Sequence, residues 1–185
     1  MSGFSKHGER VVHRGQVVTL VEATFVDPDG ETFEREVVHH PGAVSVVPVL
    51  DDSDTVVLVR QYRAAVETEL LEIPAGKLDV DGEGREPAAA RELEEEVGYR
   101  AGRLEKLAEF YNSAGYCDER STVFLALDLR PCELSAQGVE ERHMTIERVS
   151  LADVPAMVAD GRLVDAKTII GLTLARERLS TLRRR

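Results

Sequence analysis

Residues 43–50 read Ala-Val-Ser-Val-Val-Pro-Val-Leu, eight positions with one hydroxyl and no charge. A strand of this composition has no polar face to leave in water, so both of its faces must be covered. That requirement excludes a sheet with one solvated side and points to an α/β chain with helices packed against a central sheet. The polar break at 51–54 then leads into a second apolar run, 55–61, so residues 42–63 are predicted to form a central hairpin. Before it, short β-branched runs at 11–12, 17–20 and 23–26 are followed by Asp27-Pro28-Asp29-Gly30, a turn signal. The segment 31–39 returns, and His40-Pro41-Gly42 ends it. Residues 1–40 are therefore read as an N-terminal antiparallel β segment, and 41–185 as the main domain.

Pro87 sits where its missing N–H costs nothing, in the first turn of a predicted helix over 88–97, and Gly98 supplies the C-terminal stop. Strands are expected at 105–111, 122–129 and 145–151, and helices at 151–160 and 165–182. The 88–97 helix carries the most informative residues. At about 100° per residue, Glu92, Glu95 and Glu96 fall on one arc, while Ala90, Leu93 and Val97 share another. Like charges spaced i,i+3 and i,i+4 repel by a few tenths of a kcal/mol. A divalent cation would convert that repulsion into coordination, since hard Mg2+ takes carboxylate oxygens and water. Arg91, four residues before Glu95, is placed to hold that carboxylate.

The chain has 34 acidic and 23 basic residues, a formal charge of −11. Nine acidic residues against three basic ones between Glu72 and Glu96 account for −6 of it. This surface repels nucleic-acid backbones, and Arg183, Arg184 and Arg185 form the one basic cluster. No apolar run approaches the 18 or so residues of a membrane span, and Met1 to Arg10 lack a secretory core. With two cysteines, Cys117 and Cys132, a disulfide framework is not expected and a cytoplasmic protein is. His39 and His40 are adjacent on a predicted strand and point to opposite faces, so they are expected to be structural rather than a chelating pair. Cys117 has no neighbouring base and is not expected to be a nucleophile.

The stretch Glu83, Arg91, Glu92, Leu93, Glu95, Glu96, Gly98, Tyr99 resembles the signature box of the Nudix hydrolases. One departure is visible: six residues separate Gly76 from Glu83 where the pattern has five. The resemblance implies an α/β/α sandwich around a mixed sheet, hydrolysis of a nucleoside diphosphate linked to another group, and divalent metal held by Glu92 and Glu96. Glu95 would bind or support the metal, and the Ala75 carbonyl would add a ligand. The positions of Arg91 and Glu83 are structural in the family, pairing within the loop and helix. Further motifs resemble the ADP-sugar branch, above all ADP-ribose pyrophosphatases. These are Val59-Arg60-Gln61-Tyr62-Arg63, Leu71-Glu72-Ile73-Pro74-Ala75-Gly76-Lys77, Arg35-Glu36-Val37-Val38 with His40-Pro41-Gly42-Ala43-Val44, and Asp165-Ala166-Lys167-Thr168. That branch implies a homodimer whose N-terminal β segments are exchanged. Ala114 stands where ADP-ribose-using members carry proline.

The expected activity is Mg2+-dependent (or Mn2+-dependent) cleavage of the pyrophosphate of ADP-ribose or a related nucleotide sugar, giving AMP and a sugar phosphate. GDP-mannose, NADH and dinucleoside polyphosphates are the alternative substrates, and a non-catalytic ADP-ribose-binding regulator is a further reading. A general base from the loop after the box is expected at Glu140 or Glu141, the other reading being loop solvation. Arg35, Arg60 and Arg63 are candidates for the phosphates or the terminal ribose, or for structural pairs. In a chain without tryptophan, Phe25 and Phe33 are the candidates for an adenine shelf, core packing being the alternative.

Overall fold

Residues 5–39 form a three-stranded antiparallel sheet: β1 (Ser5–Arg14), β2 (Thr19–Val26) and β3 (Thr32–His39), in the order β1-β2-β3. The structure, a computed structural model, describes residues 3–51, 54–135 and 141–184. It divides into two compact units: the chain up to Gly42 with Phe110–Arg120, and Ala43–Glu109 with the chain from Ser121 onward. In the first unit the β2–β3 turn forms at the predicted place. The Asp27 carboxylate accepts the backbone N–H groups of Asp29 and Glu31, both at 2.9 Å, and Gly30 takes a φ of +90°. The register sets Val21 opposite Val37, Ala23 opposite Arg35 and Phe25 opposite Phe33. Alternation along each strand therefore gathers these six side chains on one face.

The segment 112–118 is tied to the edge of that sheet. Val38 N–H donates to the Tyr116 carbonyl at 2.8 Å, and Asp118 N–H to the Val38 carbonyl at 3.1 Å. His39 completes the tie, with Nδ1 at 2.5 Å from Asp118 and Nε2 at 3.0 Å from Glu9 of β1. The other Asp118 oxygen accepts His40 N–H at 2.8 Å, and His40 Nδ1 accepts Gly42 N–H at 3.0 Å. Both histidines are thus structural, as expected from their adjacency.

The second unit holds β4 (Ala43–Pro48), β5 (Thr55–Arg63), β6 (Thr68–Glu72), β7 (Ala75–Lys77), α1 (Arg85–Val97), β8 (Tyr99–Tyr111, whose last two residues belong to the first unit), β9 (Arg120–Pro131), β10 (Thr145–Ser150), α2 (Val154–Ala159) and α3 (Ala166–Leu182). A four-stranded sheet has the order β7-β4-β9-β8, with β4 parallel to β9 and antiparallel to β7. A three-stranded sheet has the order β10-β5-β6. The predicted central hairpin over 42–63 does not form. Both edges of β4 are taken by β7 and β9, so among the described residues the backbone pairing between the two segments is confined to the Val49–Val56 bridge and the Leu50 N–H to Thr55 carbonyl bond, and β5 pairs with β6 and β10 instead.

The demand of the 43–50 run for two covered faces is met by two helices. Val44 and Val46 join Val57, Val59, Phe124 and Ala126 in a core with Ala89, Leu93 and Val97 of α1. The intervening Val47 points to α3, where a Cβ on Gly171 would lie 3.1 Å from Val47 and 3.0 Å from both Ile73 and Val123. Glycine lets that helix lie close against the sheet. The result is the α/β/α sandwich around a mixed sheet that the motifs imply.

The His39 contacts set a pH dependence for the first unit. Hydrogen bonds that His39 donates to Asp118 and then to Glu9 raise its pKa above the ordinary 6.5. The stabilisation from protonated His39 is complete below that ordinary value and is lost as pH rises through the raised one. Asp118 and Glu9 are held below the usual carboxylate range, Glu9 mainly by Lys6 and Asp118 by His39 against partial burial. Their contributions are lost as pH falls through those depressed values. The stability difference between wild type and His39→Gln, measured by urea denaturation, is expected to be largest near pH 5.5–6 and to shrink by pH 9 or so. A difference independent of pH would contradict the ionic role of His39.

Candidate active site

Helix α1 packs apolar side chains and carboxylates from neighbouring arcs of one surface. Gly98 ends it in the left-handed conformation at φ +68°, its N–H donating to the carbonyls of Glu94 and Leu93. Leu93 is completely buried, as are Ala88 and Ala89, but Glu92 and Glu96 are also buried, at 7 % and 5 % exposure. Buried carboxylates require partners. Glu96 accepts the Ala75 N–H at 3.0 Å, and Glu92 forms an ion pair with Arg91, its carboxylate 2.7 Å from Nη1. The same Nη1 reaches Glu95 at 2.9 Å. The rest of the guanidinium forks onto Glu83, Nε at 3.2 Å and Nη2 at 3.1 Å. One cation thus joins three of the box carboxylates, and Glu83 above all, followed by Glu92 and Glu95, holds Arg91 well above its ordinary pKa.

Arg91, Glu92, Glu95 and Glu96 line a cleft of about 510 Å³ together with Arg63, Ala75, Gly76 and Lys77. Gly76 is there for its lack of a side chain: a Cβ would fall 1.9 Å from a Glu92 carboxylate oxygen. The Glu92 carboxylate therefore lies directly against the backbone of β7, beside Ala75. Among the described residues, no three His, Cys, Asp or Glu side chains are already gathered around one ion position. That arrangement fits a hard cation nonetheless. The donors are all oxygen, three box carboxylates surround one guanidinium with Glu96 beside them in the cleft, and Mg2+ keeps several waters and needs only one or two carboxylates.

The residues singled out from the sequence do not all meet here. Ala75, Glu92, Glu95, Glu96 and Arg63 share the cleft. Arg60 does not line it; its Nε donates to Glu147 of β10 at 2.6 Å, a pair between neighbouring strands. Glu140 lies outside the described residues, and Glu141 opens a short 3-10 turn, Glu141–His143. Arg35 belongs to the first unit. There a cavity of about 450 Å³ is lined by Phe25, Phe33 and Arg35 from the sheet, by Phe4 just before β1, and by Tyr111, Ala114 and Tyr116. Phe25 stacks on Phe33 at 5.6 Å between centroids, Phe4 meets Phe33 edge-on, and the Arg35 guanidinium lies 4.7 Å from the Phe33 centroid.

Sequence reasoning named Phe25 and Phe33 but missed Phe4, Tyr111 and Tyr116. No local pattern brings residue 4 beside residues 111–116. It quoted Glu72 and Lys167 inside motifs without seeing that they join. Glu72, 1 % exposed, is held bidentately by Arg63 (2.7 and 2.6 Å) and also by Lys167, 95 residues away.

Comparison with known proteins agrees with this geometry. Residues 39–169 match the family model for the NUDIX domain. The ADP-ribose pyrophosphatase of Bacillus subtilis (strain 168) is 40 % identical over 157 residues, covering 85 % of this chain and 84 % of that protein. The ADP-ribose pyrophosphatase of Mycobacterium tuberculosis (strain ATCC 25618 / H37Rv) is 36 % identical over 169 residues, 91 % of this chain and 81 % of that one. A crystal structure of an ADP compounds hydrolase superposes with a TM-score of 0.84 at 27 % identity, covering 98 % of this chain and 97 % of the other. With its box carboxylates gathered on one buried helix face beside β7, and a family match over most of its length, the chain belongs to the Nudix family of hydrolases.

Proposed function

We propose that this protein hydrolyses the pyrophosphate bond of ADP-ribose or a closely related nucleoside diphosphate sugar, in a Mg2+-dependent reaction giving AMP and a sugar phosphate. The observation that carries the proposal is the cleft in which Glu92, Glu95 and Glu96 meet the Ala75–Gly76 backbone and the Arg63 guanidinium. Nudix hydrolases generally use divalent metal ions. Glu92 and Glu96, with Glu95 and the Ala75 carbonyl, would hold Mg2+ (Mn2+ as substitute), which supplies charge neutralisation for the diphosphate and a more acidic water. Arg91 keeps the carboxylates of Glu83, Glu92 and Glu95 together. Arg63 offers a guanidinium to phosphate oxygens. The proton of the attacking water passes to a glutamate, with Glu140 or Glu141 proposed as the general base and Glu95 in support.

The aromatic cavity of the first unit has the chemistry of a nucleobase shelf: stacked Phe25 and Phe33, with Arg35 as donor. Ala114 lines this cavity, so the residue that differs from the proline of ADP-ribose-using members lies where a base would be recognised. We place the protein in the cytoplasm, in keeping with two free thiols, Cys117 and Cys132. No described helix is long and apolar enough to cross a membrane. We also propose a homodimer formed through the N-terminal segment 1–40, the main domain being 41–185. Strand β1 is exposed along its whole length, including Val11 and Val12.

A product-resolved panel of ADP-ribose, GDP-mannose, NADH and diadenosine polyphosphates in Mg2+ is expected to show ADP-ribose turned over fastest, with AMP released. If another substrate outpaces it, the substrate assignment falls; if none is cleaved, so does the activity. Glu96→Gln and Gly76→Ala are each expected to weaken metal activation about 10–100-fold, the first by removing a ligand and the second by displacing Glu92. Mg2+ titrations of rate should show this, and wild-type curves for both would refute the metal assignment. Sedimentation equilibrium is expected to give twice the chain mass, and a monomer after deletion of β1; a wild-type monomer would refute the dimer.

A further inference from the structure

The cleft holds one arginine that faces two opposed demands. Arg63 ends β5 beside the turn 64–67, and its side chain is 39 % exposed. It stands beside the box carboxylates, and Glu96 adds to the field that raises its pKa, although Glu72 is the largest cause. An unanchored guanidinium here would fold onto Glu92, Glu95 and Glu96 and compete with any metal. Glu72 prevents this by accepting from Nε and Nη2 through both of its oxygens, which fixes the plane of the guanidinium and leaves Nη1 as the nitrogen without a partner among the described residues. An isolated Arg63–Glu72 pair would be neutral, however, and would offer an anion little.

Lys167 changes that balance. Its ammonium donates to the same Glu72 oxygen that accepts Arg63 Nη2, so the buried carboxylate is shared between two cations. Lys167 is held in turn by Asp165 at 3.0 Å. Asp165 divides its charge between Lys167 and the N-terminus of α3, where it accepts from Thr168 N–H at 3.0 Å and from the Thr168 hydroxyl at 2.5 Å, and it adds to the field on Arg63. A carboxylate at that position is stabilised by the helix dipole. Thr168 Oγ1 accepts Ile73 N–H at 3.0 Å, which locks the start of α3 to the residue following Glu72. Lys167 is 14 % exposed and is not among the residues lining the cleft.

We propose that Lys167 is a positioning residue: by sharing the buried Glu72 carboxylate, it holds Arg63 in the cleft with its positive charge only partly offset, as the group that binds a phosphate of the diphosphate substrate. This rests on the reading of the cleft as a pyrophosphatase site. Lys167 acts on the substrate only through Arg63, and this separates it from a residue that merely supports the fold.

The test is a double-mutant cycle on the full chain with Mg2+, in which Lys167→Met and Arg63→Ala are made singly and together. Lys167→Met is expected to raise KM for ADP-ribose about tenfold while kcat changes less than about threefold. It should also weaken binding of α,β-methylene-ADP, measured calorimetrically, by the same factor, and leave the Mg2+ midpoint unchanged. In the Arg63→Ala background the same substitution should add less than about twofold, because neighbours in one network are not additive. Lys167→Arg should restore most of the affinity, and Lys167→Gln serves if the Met variant does not fold. An unchanged KM and Kd in Lys167→Met, or an undiminished effect without Arg63, would overturn the positioning role while the pyrophosphatase reading stands. A wild-type protein that neither cleaves ADP-ribose nor binds α,β-methylene-ADP would overturn both.

Discussion

Helix α1 must bury Leu93 and Val97 and, within the same two turns, Glu92 and Glu96. The apolar pair is satisfied by Val44, Val46 and Phe124 on the sheet. Two buried carboxylates have no such partner in a hydrocarbon core, and each desolvated charge costs several kcal/mol unless it is met by donors or cations. The fold meets them with the Ala75 N–H and with Arg91. It also removes the side chain of Gly76 so that Glu92 can lie against the backbone. Much of the local architecture follows: a short β7 on the outside of β4, a glycine within it, and an arginine locked onto Glu83 in the preceding loop.

A second ionic cluster adjoins the first through Arg63, which lines the same cleft. Glu72 is buried in β6, three residues before Ala75, and its two cations come from β5 and α3. The N-terminus of α3 is thereby fastened to the strand end that leads into the cleft. The first unit uses the same device on a more open surface, where His39 bridges Asp118 and Glu9 and secures one wall of the aromatic cavity. In each case an ionic bridge fixes a segment that apolar packing alone would leave free to shift.

Legibility from the sequence depended on range. The Asp27–Gly30 turn, the Gly98 stop and the Arg91–Glu95 pair involve residues within a few positions of one another, where backbone stereochemistry and helical spacing decide the outcome. The central hairpin failed because pairing is a competition among all strands, and β7 and β9 claimed both edges of β4. Arg60 and Arg63, three residues apart on one strand, looked equivalent. Opposite sides of β5 gave them different neighbours: Glu147 for one, Glu72 and the cleft for the other.

By itself the sequence determined the α/β class, the amphipathic acidic helix with its C-terminal stop, and the oxygen-rich donor set, because these follow from residue type and spacing along one element; the helix starts at Arg85, three residues before the expected 88. Only the tertiary structure decided which strand edges pair and which arginine enters the cleft. It also joined Lys167 to Glu72 across 95 residues, and gathered Phe4, Phe25, Phe33 and Tyr111 around one cavity. Those outcomes turn on long-range contacts, whose closure is unfavourable until the whole sheet forms, and no local pattern encodes them.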